Sequence, residues 1–133
     1  MSRRLAAGAA VAVLLTACTS SGNGPELPAE SAFFEGTCRT AAPDVIAIGR
    51  TIPRLGDGGV VDQAVKDELR IAQDGVFALV ATAEEPFKSA LDELVLSTGV
   101  VRIRADGNSY EPDLGELLRR SYERVLSVCT VPN

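Results

Sequence analysis

Apolar residues recur at steps of three and four through the middle of the chain, and this spacing constrains that part to helices. In segment 60–83 they fall on one face of an α-helix. Gly75 lies within this segment and costs about 1 kcal/mol relative to alanine in a helix interior, so we interpret it as the mark of a close helix crossing. The apolar face consists of Val61, Val65, Leu69, Ala72, Val76 and Leu79.

A second helix is predicted to start at Glu85-Pro86, because proline suits the first helical position, where its missing N–H would have no partner. Its apolar residues recur at the same steps of three and four from Phe87 to Ala105, and we call this row the seam. Further apolar residues lie outside the seam, so we predict that this helix is the most enclosed of the predicted helices. The alternative is a short strand over 100–105, where apolar residues alternate with arginines. The residues off the seam are Val95, Leu96, Val100 and Ile103.

The last helix is predicted to begin at Glu111-Pro112-Asp113 and to run to Cys129. On its solvated side, two oppositely charged pairs lie four residues apart, a spacing that stabilises a helix by a few tenths of a kcal/mol per pair. These pairs are Glu116 with Arg120 and Arg119 with Glu123.

The first helix is the least regular in sequence, because Pro43 interrupts it. We expect it to begin at about Cys38 or Ala42, to end at Thr51, and to be kinked or initiated near the proline. A turn containing Phe33 and Phe34 would precede it.

Four helices joined by short connections pack most simply as an antiparallel, up-down bundle. Breaker clusters at 56–59 and 106–109 mark two of the connections. The fold class predicted from the sequence is therefore all-α, a small four-helix bundle formed by residues 32–133.

Composition excludes several classes of function. The chain has no histidine and a net charge of −5, which rules out Ser-His-Asp and Cys-His catalytic arrangements and histidine-based metal sites. A net acidic chain is also a poor binder of nucleic acid. We predict no catalytic, cofactor-binding or metal-ligating residues, and no cofactor.

Close to Met1 the chain has a positive start at Arg3-Arg4, an uncharged apolar run over 5–17, and the tetrapeptide Leu15-Thr16-Ala17-Cys18. This arrangement resembles the signal peptide and lipobox of bacterial lipoproteins. The apolar run is shorter than the roughly 20 residues that span a bilayer. The alternatives are a permanent transmembrane helix and an ordinary secretory signal cleaved elsewhere.

The resemblance implies that residues 1–17 are removed and that Cys18 carries a diacylglyceryl group. Two acyl chains give a stable membrane anchor, whereas one gives only a marginal one. Residues 18–31 would then be the lipidated start and a flexible tether, rich in Ser, Gly and Pro. The predicted location is the extracytoplasmic face of the cell membrane.

Processing would also change the charge and the cysteine count. It removes two of the 13 basic residues and none of the 18 acidic ones, so the net charge becomes −7. With Cys18 lipidated, Cys38 and Cys129 remain as a pair in an oxidising compartment, and we predict a disulfide between them. Two free core cysteines are the alternative.

The abundance of arginine over lysine, with many alanines and glycines, is typical of high-GC Gram-positive, actinobacterial proteins.

One basic cluster would form if the last two helices pack side by side, and it is a candidate patch for an anion or a partner. The alternative is that its members pair with the surrounding acidic residues. The cluster consists of Arg102, Arg104, Arg119, Arg120 and Arg124.

Two functions are compatible with these features. The first is a non-catalytic accessory or interaction module of the cell envelope, held to the membrane by its lipid and in contact with another envelope protein. The second is a binding protein for a small apolar or anionic ligand held between helices. An enzyme is a third possibility, disfavoured by the scarcity of catalytic groups. We take the chain as a monomer.

Overall fold

The computed structural model describes residues 24–132. They form four α-helices: α1 (Thr37–Thr51), α2 (Gln63–Val80), α3 (Phe87–Asp106) and α4 (Pro112–Cys129). Short 3-10 turns at Glu30–Ala32 and Ile52–Arg54 precede and follow α1. The predicted signal peptide, the predicted lipobox and Cys18 lie outside the described residues.

The helices pack in the order of the chain: α1 on α2, α2 on α3 and α3 on α4, with α4 closing on α1. Two backbone bridges define the ends of this antiparallel bundle. Gly59 pairs with Tyr110 where the α1–α2 and α3–α4 connections meet, and Phe33 pairs with Thr130 at the opposite end. We call these the loop end and the disulfide end. The all-α bundle predicted from the sequence is confirmed.

The disulfide between Cys38 and Cys129 is present, with the two Cα atoms 5.3 Å apart. Both residues are buried. The bond joins the first turn of α1 to the last residue of α4, which is the arrangement that an up-down bundle requires. The predicted link between the first and last helices is therefore confirmed.

α1 begins at Thr37 and passes through Pro43 without ending there. The missing N–H of Pro43 removes one helical hydrogen bond, but this residue lies on the exposed side of the helix, where water can satisfy the carbonyl group that loses its partner. The helix begins one residue before the predicted start at Cys38 and ends at the predicted Thr51, so the alternative start at Ala42 or Pro43 is wrong.

One prediction for α3 is confirmed and another is wrong. Residues 100–105 are helical, so the strand alternative is wrong. The helix is also not enclosed: Leu96, Val100 and Ile103 are 63%, 41% and 73% exposed. Each helix of a four-helix bundle can bury only the side that faces the interior, and α3 carries more apolar residues than that side can hold.

Close packing at two glycines fixes the spacing of α1 against its neighbours. Gly75 of α2 lies against the carboxylate of Asp44, and a side chain at Gly49 would lie 2.5 Å from the ring of Tyr122. The interpretation of Gly75 as a helix crossing is confirmed. At the loop end, Tyr110 is buried and its hydroxyl lies against Gly115.

Residues 24–33 follow a course along the bundle, which we call the strap. Gly24 lies against Pro53 at the loop end, and the hydroxyl of Tyr122 donates a 2.8 Å hydrogen bond to the carbonyl oxygen of Glu26. The side chain of Arg39 donates to the carbonyl oxygens of Ser31 and Phe33. Residues 24–31, predicted as part of a flexible tether, thus have defined contacts with α1 and α4.

Candidate functional site

The outer face of α3 is formed by Leu96, Val100 and Ile103, which stand at i, i+4 and i+7 on the side opposite the core. Single exposed apolar side chains are ordinary on a protein surface. Three on one helical stripe form a continuous apolar strip that water solvates poorly, and such strips mark interaction sites. Leu117 of α4 is also partly exposed, at 38%.

Contacts from both neighbouring helices hold α3 in place beneath this face. On the α2 side, Gln73 donates a 3.0 Å hydrogen bond from Nε2 to the carbonyl oxygen of Val95 and accepts one from Arg102 at 2.5 Å. On the α4 side, the buried hydroxyl groups of Ser97 and Ser121 are 2.6 Å apart and hydrogen-bonded. The outer face is therefore preformed, so a partner would not need to order it.

The five arginines of the predicted basic cluster are distributed over several neighbours. Arg102 binds Gln73 of α2, and Arg124 pairs with Glu93 of α3 at 3.3 Å. Arg104 and Arg120 are exposed on α3 and α4. Arg102 and Arg124 thus contact different helices, and the anion patch stays a prediction.

Arg119 contacts two carboxylates on its own helix, at 3.7 Å from Glu116 and 3.0 Å from Glu123. The predicted pair with Glu123 is confirmed. Glu116 contacts Arg119 rather than Arg120, so the other predicted pairing is wrong.

Two surface grooves lie on the other sides of the bundle. One, of about 370 Å³, runs between the strap and the second half of α4, and Tyr122 lies at its base. The other, of about 480 Å³, lies between α1 and α2 and includes Ile71, Arg50 and Glu68. Their volumes are those of small-ligand sites, but both are open grooves outside the core.

The surroundings shift the pKa values of three ionisable groups beside these grooves. Partial burial pushes the pKa of Glu68 upward, but hydrogen bonds from Arg54 and Arg50 outweigh burial and leave the pKa below its usual value. Burial raises the pKa of the nearby Asp44 carboxyl group. Burial also raises the pKa of Tyr122 to about 12, with help from the charges of Glu26 and Glu123.

Within residues 24–132 no three potential metal-ligating side chains come together. Every buried side-chain nitrogen or oxygen atom in that range has a hydrogen-bond partner, so no buried polar group is directed at an absent ligand. None of the described helices is long and apolar enough to cross a membrane.

Comparisons with protein-family models, curated proteins and solved structures find no match for this chain.

The sequence interpretation did not single out the outer face of α3 or the strap. The signal for the first was present in the sequence, because apolar residues occur around the whole circumference of α3. The second had no local signal, since Tyr122 and Glu26 are 96 residues apart.

Proposed function

We propose that this chain is a lipoprotein of the extracytoplasmic membrane face, and that its bundle is a non-catalytic interaction module for another protein of the cell envelope. The interaction part rests on one observation, the preformed apolar outer face of α3. Leu96 and Ile103 keep more than half of their surface in water although the core beside them is closed. A protein partner would remove that apolar surface from water.

The anchor part of the proposal rests on the lipobox resemblance at Leu15-Thr16-Ala17-Cys18. The lack of histidine in the chain supports a non-catalytic role. The disulfide also fits an oxidising compartment outside the cytoplasm.

The anchor is tested by the mass of the mature protein and by the Cys18→Ala variant. We expect a mature form that begins at Cys18 and carries the added lipid mass. Cys18→Ala should be released from the membrane fraction or accumulate unprocessed. A mature protein with an unmodified Cys18 would overturn the anchor.

The interaction surface is tested by crosslinking in intact cells followed by mass spectrometry. Ile103→Glu places a charge on the outer face of α3, while Phe77→Glu places the same charge on α2, at a side chain that is similarly exposed, at 66% against 73%, and lines neither groove. Both substitutions are at the surface and should leave folding unchanged. We expect Ile103→Glu to lower the yield of the crosslinked partner at least tenfold and Phe77→Glu to leave it unchanged.

Equal yields from both variants would exclude the outer face of α3 as the contact surface.

The groove between α1 and α2 gives a second candidate function, the binding of a small apolar ligand. Its carboxylates at Asp44, Asp67 and Glu68 disfavour an anionic ligand. Native mass spectrometry of the protein extracted from membranes distinguishes the two. A co-purifying small molecule without any crosslinked protein would support the ligand and overturn the interaction module.

A further inference from the structure

The strap determines where the folded domain is attached to the anchor segment. Its first described residue, Gly24, lies so close to Pro53 that a Cβ atom there would be 3.1 Å from the proline Cγ. Pro53 belongs to the turn that follows α1, at the loop end of the bundle. The described chain therefore begins at the loop end, although α1 itself begins at the disulfide end.

Contacts along the whole strap fix its direction. The hydroxyl of Tyr122 binds the carbonyl oxygen of Glu26. At the disulfide end, Phe33 is buried and pairs with Thr130, while the amide of Phe34 donates to the carbonyl oxygen of Cys129 at 2.8 Å. α1, with 15 residues, is about 22 Å long at 1.5 Å per residue. The strap passes along this length before α1 begins.

The proposed anchor is close to this attachment point in sequence. Cys18 precedes Gly24 by six residues. Six residues reach about 20 Å at most, and polymer statistics give a root-mean-square span of about 13 Å for this number of residues. Without the strap contacts, 15 residues would separate Cys18 from Phe33, and the first contact of the described chain with the bundle would be at its opposite end.

We propose that the lipid-anchored bundle stands with its loop end toward the bilayer and its disulfide end away from it. This orientation rests on the proposed lipid at Cys18 and adds to it the side of the domain that faces the membrane. The loop end therefore faces the lipid bilayer that holds the protein's own acyl chains.

The charge of the loop end is compatible with a short stand-off from anionic headgroups. Asp57, Asp106 and Glu111 are exposed there, and their repulsion from the membrane is screened over about 8 Å at physiological ionic strength. This distance is shorter than the reach of six residues. The disulfide end is also acidic, with Glu30, Glu35, Glu84 and Glu85 exposed, so repulsion does not favour that end over the loop end.

In this orientation the outer face of α3 extends away from the membrane, along the length of the bundle. Ile103 lies near the loop end, three residues before the end of α3, and Leu96 lies about 10 Å farther from the bilayer at 1.5 Å per residue. A protein that binds this face would itself be held at the membrane surface.

Tryptophan fluorescence measures the orientation directly, because the chain has no tryptophan of its own. Val60 and Val131 form a matched pair, with exposures of 74% and 60%. Val60 follows Gly59 at the loop end and Val131 follows Thr130 at the disulfide end. Val60→Trp and Val131→Trp are prepared in the full-length, lipidated protein and reconstituted into phosphatidylglycerol and phosphatidylethanolamine vesicles that contain a dansyl-headgroup lipid.

We expect energy transfer from tryptophan to dansyl to be several-fold higher for Val60→Trp than for Val131→Trp. Equal or reversed transfer would overturn the orientation. Ile103→Trp and Phe77→Trp provide a second pair, at the loop end and the disulfide end, if either valine variant fails to fold. Both of those side chains are exposed, at 73% and 66%.

Two further measurements separate this inference from the anchor itself. Co-flotation with vesicles tests the anchor: if the protein with Cys18 intact does not float, both proposals fail, and if it floats with equal transfer, only the orientation fails. Inserting 12 Gly and Ser residues between Cys18 and Gly24 raises the span of the linker to about 23 Å. The difference between the two probes should then shrink, and an unchanged difference would overturn the role of the short linker.

Discussion

At the scale of single residues, Tyr122 connects three parts of the molecule. Its ring packs against Gly49 of α1, its backbone belongs to α4, and its hydroxyl binds Glu26 of the strap. The side chain has no measurable exposure. The hydrogen bond to Glu26 holds the strap, while burial of the ring disfavours ionisation of the phenol group.

We expect Tyr122 to resist ionisation in the folded protein. Its pKa is raised to about 12 from 10.0, so between these values the folded chain retains a proton that the unfolded chain releases. Stability should therefore fall as the pH rises above about 10. The ultraviolet absorbance of tyrosinate, recorded as a function of pH, measures the step.

Tyr122→Phe provides the control for this titration. Tyr110, the other tyrosine of the chain, also has a pKa raised by burial, and its step should persist in the variant. Loss of the Glu26 hydrogen bond should cost about 1 kcal/mol and should make the strap more accessible to proteases. A Tyr122 step at the ordinary pKa in the parent protein would contradict the burial described above.

At the scale of the helices, the packing of α1 on α4 leaves no room for a methyl group at Gly49. Gly49→Ala would place its Cβ 2.5 Å from two ring atoms of Tyr122. Because both residues are buried, we expect a loss of about 1 to 3 kcal/mol in the free energy of unfolding, measured by urea denaturation.

Gly99→Ala is the matched substitution on α3. Its Cβ would lie 3.1 Å from Nε2 of Gln73, so this amide must shift by a few tenths of an ångström, a movement small enough to keep its hydrogen bonds to Val95 and Arg102. The gain in helix propensity of up to about 1 kcal/mol should offset that contact, so we expect a nearly unchanged unfolding midpoint. If Gly49→Ala were as stable as Gly99→Ala, the close packing of α1 on α4 would be disproved.

The helices themselves could be predicted because each one has its own local signals. The apolar seam of α2 and the breaker cluster at 56–59 lie within a few residues of the structure they specify. Which apolar residues remain in water could not be predicted in the same way. Leu96 and Val95 are neighbours of the same chemical type, and only the positions of α2 and α4 make one exposed and the other buried.

The strap and the arginines were unpredictable for a related reason. Their partners are distant in sequence: Arg102 binds Gln73, 29 residues earlier, and Tyr122 reaches back to Glu26. A composition rich in Gly and Pro indicates flexibility when a segment has no partner, but it does not reveal a partner that another helix supplies.

At the scale of the whole molecule, the disulfide closes a loop between residues 91 positions apart. Removing it with Cys38→Ala and Cys129→Ala together should lower the stability by about 4 to 5 kcal/mol in the chain-entropy model. Urea denaturation with and without reductant measures this loss. The double variant should be insensitive to reductant, and two alkylatable thiols in the unreduced parent protein would contradict the bond.

The same bond determines which part of the chain can be extended by a pulling force. If the proposed lipid anchor and the residues after Cys129 are pulled apart, tension enters the described fold at Gly24 and peels the strap away from Tyr122 and Arg39. Peeling stops at Cys38, because the covalent link to Cys129 then carries the load past the four helices. The domain can thus lengthen by its strap under tension while the bundle, including the outer face of α3, keeps its shape.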